Sequence, residues 1–164
     1  MDESAVRSFW DLARFHAKLN SAPSYFGPTT LEVVPPPAWS FGATPEQADE
    51  LLALVLEGTK TATASALWDY EADAEQLPEP GTLSIILDGR DHPRALIETT
   101  EVEVVPFAEV DSEHAYLEGE GDRSLDFWRG VHERFFTDHA SHDRGFAPDM
   151  PVVLERFRVV YQAK

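Results

Sequence analysis

The segment Gly58–Thr63 contains one lysine and three threonines, and these side chains could support catalysis or ligand binding. A threonine hydroxyl such as that of Thr63 is a weak nucleophile until a neighbouring base takes its proton. Lys60 could be that base in its neutral form. In its charged form it would instead stabilise a phosphate or a developing oxyanion. The residue types alone leave both roles open.

A second polar stretch, Glu118–Asp122, carries three carboxylates separated by two glycines. Carboxylates this close repel one another unless a cation lies among them. The glycines allow the backbone to approach a ligand closely. The alternative interpretation is a flexible acidic turn in which Asp122 or Ser124 caps the following helix. The sequence leaves this choice open as well.

The segment before Lys60 is predicted to be a helix from Thr44 to Gly58. Thr44 can cap it, and Gln47 can complete a capping box. Glycine is the residue that most often follows a helix end. Residues 59–65 then alternate and are rich in threonine, which favours a strand. In a regular strand Lys60 and Thr63 would point to opposite faces, whereas a bulge or a turn would let both face one pocket.

The remaining periodicities and turn signals predict the other elements in chain order. They are a helix over 4–19, a proline-punctuated connector over 20–39, an acidic loop over 68–80, a strand over 82–87, a hairpin turn at Asp88-Gly89, a strand over 94–107, a short helix from Asp111, a helix over 125–139 and a strand over 152–161.

Composition restricts the function classes. The chain has 164 residues and no cysteine, which excludes disulfides, thiolate catalysis and cysteine-ligated zinc. Its formal net charge is -17, which argues against a simple polyanion-binding protein. The charge is uneven, because residues 44–122 hold only three basic side chains. If nucleic acid binds, the C-terminal arginines are its expected contacts: Arg123, Arg129, Arg134, Arg144, Arg156 and Arg158.

No metal site or other cofactor is expected. The histidines at 132, 139 and 142 lie near Asp138 and Asp143, but their spacing matches no known set of metal ligands. No apolar run approaches the length of a membrane span, and the first residues are acidic rather than basic. We therefore expect a cytoplasmic protein without a membrane partner, and the sequence leaves its oligomeric state open.

Three blocks in order resemble the ASCH domain family of the PUA-like superfamily. The segment Gly58–Thr63 looks like the family motif G-x-K-x-x-T. The stretch Glu118–Asp122 follows, with Ser124-Leu125 and Trp128-Arg129 behind it, and Val152–Phe157 is similar to the family's last strand. The resemblance covers roughly residues 39 to 162.

The resemblance implies an α+β fold, a small and mostly antiparallel PUA-like β-barrel with flanking helices. It places the ASCH domain at residues 39–162. Residues 1–38, with the N-terminal helix and the proline-rich connector, are then expected to be packed on that domain.

The resemblance also implies that the protein binds RNA or a nucleoside-like small molecule in a cleft lined by the motif. Some members are hydrolases that cleave RNA or the amide of acetylated cytidine. Carried over by position, the catalytic residues are Lys60, Thr63 and Glu118, with Glu120 as the alternative third residue. Further ligand-binding residues would complete the cleft: Thr61, Ser65, Trp68, Tyr70 and Arg129. Of these, Trp68 or Tyr70 could stack on a base.

Two other interpretations stay open. The first is a non-catalytic RNA- or nucleotide-binding module with a regulatory role, in which Lys60 pairs with a phosphate. The second is an interaction protein that presents its acidic surface and its proline-rich segment to a partner.

Overall fold

The computed structural model describes residues 2–16 and 34–163, and these form five α-helices, five strands and a 3-10 turn. The helices are α1 Glu3–His16, α2 Pro45–Leu56, α3 Leu67–Ala72, α4 Ser112–Glu118 and α5 Leu125–Asp138. The strands are β1 Ala38–Trp39, β2 Ala62–Ala66, β3 Leu83–Leu87, β4 Pro93–Pro106 and β5 Pro151–Gln162, and the 3-10 turn is Phe107–Glu109.

The described strands form one mixed sheet in the order β1-β3-β4-β5-β2. β1 pairs with β3 in parallel, whereas β3 pairs with β4, and β2 with β5, in antiparallel fashion. The two ends of this order, β1 and β2, do not pair within the described residues, so the sheet is open. The α+β class is confirmed, but the predicted β-barrel is wrong. Strand and helix periodicity predicts elements and gives no information on whether the first and last strands meet.

The described residues divide into two compact units. Unit 1 contains residues 2–16, 34–56, 83–98 and 158–163. Its core joins one face of α1 to β3 and β4, and Trp10 at its centre is fully buried. The apolar residues of this core are Val6, Phe9, Trp10, Ala13, Ile85, Leu87 and Leu96.

Unit 2 contains residues 57–82 and 99–157, and therefore every candidate catalytic residue. Its core packs α5 and the 3-10 turn against β2 and β5. Phe107 lies between the rings of Trp128, at 5.3 Å, and Phe146, at 4.9 Å between centroids. This aromatic layer fixes the face of α5 that points toward the candidate site.

The helix start before Lys60 follows its sequence signals closely. The Thr44 hydroxyl accepts a hydrogen bond from the Gln47 amide at 3.1 Å. The Gln47 side chain accepts from the Ala43 amide at 2.7 Å, one residue before the predicted partner. Gly58 has φ +86° just beyond α2, a conformation that glycine adopts without strain.

Two local predictions differ from the structure. The strand after Gly58 begins only at Ala62, so Lys60 and Thr61 precede it. The predicted acidic loop begins with α3, a six-residue helix without a side-chain N-cap, which explains why no capping signal marked it. The predicted helix over 4–19 is described as Glu3–His16, and residues 17–19 and most of the connector, 20–33, lie outside the described residues.

Among the described residues, no helix combines the length and the apolar character that crossing a membrane requires. The boundary between residues 38 and 39 stays a prediction, since the two compact units divide the chain elsewhere.

Trp10 provides a test of the unit 1 core. Replacing Trp10 by Ala should lower the free energy of unfolding by about 3–5 kcal/mol, because it removes a fully buried aromatic ring and leaves a cavity. Phe15→Ala on the same helix is the matched control, since Phe15 is 72% exposed and its loss should cost far less. Urea denaturation of the three proteins measures both values. Equal destabilisation by the two substitutions would contradict this packing.

Candidate active site

Lys60 is held in place by the backbone around it before its side chain makes any contact. The Thr61 amide donates to the Leu117 carbonyl at 2.8 Å, and the Thr61 carbonyl accepts from the Phe157 amide at 3.0 Å. These bonds tie the motif to the end of α4 and to β5. The Lys60 residue is only 2% exposed, so its charge must be balanced within the protein.

Two carboxylates supply that balance. The Lys60 ammonium lies 3.3 Å from Glu118 Oε1 and 3.1 Å from Glu120 Oε2, and it donates to the Ala62 carbonyl at 3.0 Å. Because Lys60 precedes β2, its side chain is free of the strand alternation and reaches the end of α4. The structure therefore brings together Lys60 and both candidate glutamates.

The Glu118 carboxylate is more buried than that of Glu120, and four side chains contact it. It is 1% exposed, and its Oε2 accepts hydrogen bonds of 2.6 Å from His114 Nε2 and from Trp128 Nε1. Its Oε1 faces Lys60 and, at 3.4 Å, His132 Nε2. Burial alone would raise the pKa of Glu118, but the charges of His132 and Lys60 and these hydrogen bonds outweigh it and hold the pKa well below the usual range.

His132 is the second cation of the site. Its Nδ1 donates to the Trp128 carbonyl at 2.9 Å, so a second proton on Nε2 is what allows a favourable contact with Glu118. Its ring stacks on the Trp128 indole with centroids 4.2 Å apart. Burial lowers the pKa of His132, yet the charges of Glu118 and Glu120 and the hydrogen bonds leave that pKa raised. The imidazolium form is therefore more favoured than in a histidine exposed to water.

The loop that carries Glu120 is closely packed, which differs from the flexible turn of the alternative interpretation. The capping part of that alternative is present, because the Ser124 hydroxyl accepts from the Phe127 amide at 3.1 Å. Gly119 and Gly121 have φ of +76° and +58°, and a Cβ atom on them would lie 2.7 Å from the Thr59 carbonyl oxygen and 2.4 Å from the Phe127 ring. The Arg123 guanidinium donates to the carbonyls of Tyr116, at 2.9 Å, and Thr59, at 3.3 Å. Glu120 is thereby held beside Lys60 with 19% of its side chain exposed.

Three of these groups could also hold a metal ion. One ligand atom each from Glu118, Glu120 and His132 lies within 4.8 Å of the others. The Lys60 ammonium already places a positive charge beside both carboxylates, so a divalent ion would compete with it. The histidine spacing in the sequence missed this group because its other two members, Glu118 at the end of α4 and Glu120 in the next loop, lie outside α5.

Thr63 lies on β2, directly opposite Glu155 in the antiparallel register. Directly paired residues share a face, so the Thr63 side chain lies beside that of Glu155. Within the described residues, the Thr63 hydroxyl makes no side-chain hydrogen bond. Burial raises the pKa of Glu155, and the hydrogen bond from the Thr99 hydroxyl, at 3.1 Å, opposes that rise.

The remaining predicted ligand-binding residues have other partners in the structure. Trp68 packs on the unit 2 core, with the His142 ring at 5.2 Å and the Arg144 guanidinium 4.9 Å from its ring centroid. Burial raises the pKa of Tyr70, and a hydrogen bond with Ser65 opposes it. Arg129 donates to the carbonyls of Ala108 and Val110. Thr61 contributes its backbone, as described above.

Sequence reasoning missed three of the residues that surround Glu118. His114 is four residues before Glu118 on α4, and Trp128 and His132 have the same separation on α5. Residues four apart share one face of a helix, so this spacing was a usable signal. In the sequence analysis Trp128 enters only through the family resemblance, and His132 only as a candidate metal ligand.

The fold and the site define an α+β domain with a buried lysine held between two glutamates. The family model described as the ASCH domain matches residues 37–161 of the chain. The protein therefore belongs to the ASCH domain family, as the three sequence blocks predict.

Solved structures agree with this assignment. The chain is similar to protein EF3133 of Enterococcus faecalis V583, a DUF984 protein, with 35% identity, a TM-score of 0.80 and coverage of 95% of this chain and 88% of that one. It is also similar to an ASCH domain of Lactobacillus crispatus JV V101, with 28% identity, a TM-score of 0.79 and coverage of 98% and 96%. No curated protein matches the chain.

Removal of the Glu118 charge tests this arrangement. Glu118→Gln should lower the free energy of unfolding at neutral pH by about 3–5 kcal/mol, because Lys60 and His132 lose their shared buried counter-ion. Glu120→Gln should cost clearly less, because the Glu120 side chain is partly exposed and contacts only one of these cations. Chemical denaturation measures both, and a Glu118→Gln protein as stable as wild type would contradict the charge assignment.

The raised pKa of His132 predicts a pH-dependent contribution to stability. The contribution should be fully present below pH 6.5, the ordinary histidine value, and lost as pH rises through the raised folded-state pKa. The difference in unfolding free energy between wild type and His132→Gln should therefore shrink on the alkaline side. Denaturation of both proteins across the pH range measures it, and a difference that grows with rising pH would be the wrong sign.

Proposed function

We propose that this protein binds a nucleoside-like ligand at Lys60 and hydrolyses it, with the amide of a modified nucleoside or a short RNA as the substrate class. The observation that carries the proposal is the unequal pair of glutamates around Lys60. Glu118 is fully buried and surrounded by four donors, whereas Glu120 reaches partly exposed space from a fixed loop. Such an arrangement separates a permanent counter-ion from a group that can exchange its partner.

Glu118 has the counter-ion role in this proposal. Its depressed pKa keeps it ionised at neutral pH, so it is a poor proton carrier. Its carboxylate holds the Lys60 side chain in place through their ion pair. A charged, buried and pre-positioned ammonium is well suited to stabilise negative charge that develops on a substrate oxygen.

Glu120 has the proton-transfer role. A substrate oxygen that binds Lys60 would replace Glu120, the one partly exposed carboxylate among the ammonium's partners described above. The released carboxylate can then take a proton from water while the water oxygen bonds to the acyl carbon. Lys60 stabilises the resulting oxyanion, and Glu120 returns the proton to the leaving nitrogen as the C–N bond breaks.

Thr63 is proposed to contact the substrate from β2. Its hydroxyl has no side-chain partner within the described residues and is available for a hydrogen bond. The alternative, in which Thr63 is itself the nucleophile, requires it to approach the same acyl carbon and form an ester intermediate.

The charges of the protein favour a small ligand over a long RNA. Arginines that could contact a polyanion are already engaged: Arg156 pairs with Glu101 and Glu113, and Arg158 pairs with Glu98. Arg123 and Arg129 donate to backbone carbonyls. With a net charge of -17, extended phosphate contacts are disfavoured.

A non-catalytic binding module is the second candidate, and one observation favours it. The Lys60 ammonium already has protein oxygens within bonding distance, from Ala62, Glu118 and Glu120. A site that only exchanges Glu120 for a ligand anion would need no chemical step. The experiment below separates the two candidates.

The test is a hydrolysis screen with acylated nucleosides and short single-stranded RNAs, with and without divalent metal. Wild type should hydrolyse at least one substrate class. Glu120→Gln should keep the fold and lose roughly 100-fold or more in rate, the usual contribution of a general base. Glu133→Gln, an exposed change of the same type on α5, should leave the rate unaltered.

Two results would overturn the proposal. Full activity of a folded Glu120→Gln protein would remove Glu120 from the mechanism. Ligand binding that depends on Lys60, without turnover of any substrate, would support the binding module instead.

A further inference from the structure

The Lys60 ammonium is closed off from solvent, because the side chains of Lys60 and Glu118 are each only 1% exposed. The Glu120 carboxylate, 3.1 Å from the ammonium, is 19% exposed and therefore lies on the solvent side of it. Glu120 belongs to the short loop 119–123, which joins α4 to α5. A ligand that replaces Glu120 on Lys60 therefore requires this loop to move.

Arg123 ends the loop, and its side chain is bonded to both segments that flank the Lys60 site. Its Nε donates to the Tyr116 carbonyl at 2.9 Å, and one terminal nitrogen donates to the Thr59 carbonyl at 3.3 Å. Its guanidinium carbon lies 3.6 Å from the centroid of the Tyr116 ring. Thr59 directly precedes Lys60 and Tyr116 lies on α4, so this one side chain joins the two sides of the site.

The Arg123 backbone is in a conformation that residues with a side chain rarely adopt, with φ +65°. Glycine takes this conformation without strain, as at Gly121 in the same loop, where φ is +58°. An arginine is therefore unfavourable for the backbone at this position, and the contacts of its guanidinium group offset that cost. The side chain of Arg123, rather than its backbone, stabilises the loop in the closed position.

Opening of the loop would expose little apolar surface. Residues 119–123 read Gly-Glu-Gly-Asp-Arg and contain no apolar side chain. The Phe127 ring beneath Gly121 is already 39% exposed. Segments with few buried apolar contacts and exposed hydrogen bonds can open without unfolding the rest of a domain. The main interactions that opening would break are those of the Arg123 side chain and the ion pair with Lys60.

We propose that Arg123 is a positioning residue that holds loop 119–123 closed over Lys60, and that release of its two carbonyl contacts admits a ligand to the ammonium. The ligand carries or develops negative charge, since it takes the place of the Glu120 carboxylate beside a cation. The proposal rests on the proposed function in that it names the entry to the same site. Its test needs no substrate, so the two can fail separately.

Chemical labelling of lysines in the full chain tests the proposal. The chain has three lysines, Lys18, Lys60 and Lys164, and mass spectrometry of proteolytic peptides follows each one separately. Reductive methylation with formaldehyde should modify Lys60 slowly in the wild type. In Arg123→Ala it should modify Lys60 roughly tenfold faster or more, as expected for loss of two hydrogen bonds. Glu118 stays beside Lys60 in both proteins, so the ratio of the two rates measures the opening of the loop.

Two further variants separate the loop contacts from general destabilisation. Arg123→Gly removes the same contacts and relieves the left-handed backbone, so it should accelerate labelling of Lys60 with less effect on stability than Arg123→Ala. Arg134→Ala, which removes an exposed arginine on α5, should leave the labelling rate unaltered. Urea denaturation of each variant measures its unfolding free energy. Labelling through loop opening should respond only weakly to low urea concentrations, because opening exposes little surface.

Two results would overturn the proposal. The first is a folded Arg123→Ala protein in which Lys60 is modified at the wild-type rate. The second is a Lys60 labelling rate that rises with urea as steeply as global unfolding does, since Lys60 would then be exposed only by unfolding. If the Arg123→Ala chain does not fold, the labelling rate of Arg123→Gly decides by the same comparison.

Discussion

The buried carboxylate of Glu118 is the interaction on which the site depends. It accepts from His114 and Trp128 on one oxygen and faces Lys60 and His132 with the other. Each of these partners is itself buried, so none can turn to water if the carboxylate is lost. Through this group α4, α5 and the segment before β2 are fixed relative to one another within unit 2.

Burying this cluster of charged groups costs desolvation free energy, which hydrophobic residues in the same place would not. Burying ions is unfavourable, and well-packed apolar replacements for a buried ion pair are often as stable or more so. Here four charged groups share a small volume, with Lys60 and His132 offsetting Glu118 and Glu120. The closely packed loop glycines, Gly119 and Gly121, add a further constraint. These costs are understandable if the fixed ammonium serves binding or chemistry, as proposed above.

Local sequence signals predicted much of the fold. The cap at Thr44, the helix start at Asp111, the Ser124 cap offered as an alternative and the turn at Asp88-Gly89 each depend on residues at most four positions apart. The structure contains all four. Whether a sheet closes depends on strands that are far apart in sequence. The predicted barrel was wrong, because the described sheet is open.

The candidate site shows the same difference between features that depend on neighbouring residues and features that depend on residues far apart in sequence. The motif and the acidic stretch drew attention to Lys60, Glu118 and Glu120, and the structure places these three side chains together. The unequal surroundings of the two glutamates depend on side chains from α5, a separate helix. A pattern of neighbouring residues does not show which side chains from another helix surround a glutamate. The sequence therefore gave Glu118 and Glu120 as alternatives for the third catalytic residue.

The most direct test of this account is a pH titration of the Glu118 carboxyl carbon by nuclear magnetic resonance, with Glu118→Gln to assign the signal. The account predicts that Glu118 stays ionised well below the ordinary glutamate value of 4.5, because His132 and Lys60 stabilise its charge. A Glu118 that titrates at or above that value would show that burial dominates, and the division of roles between Glu118 and Glu120 would fail.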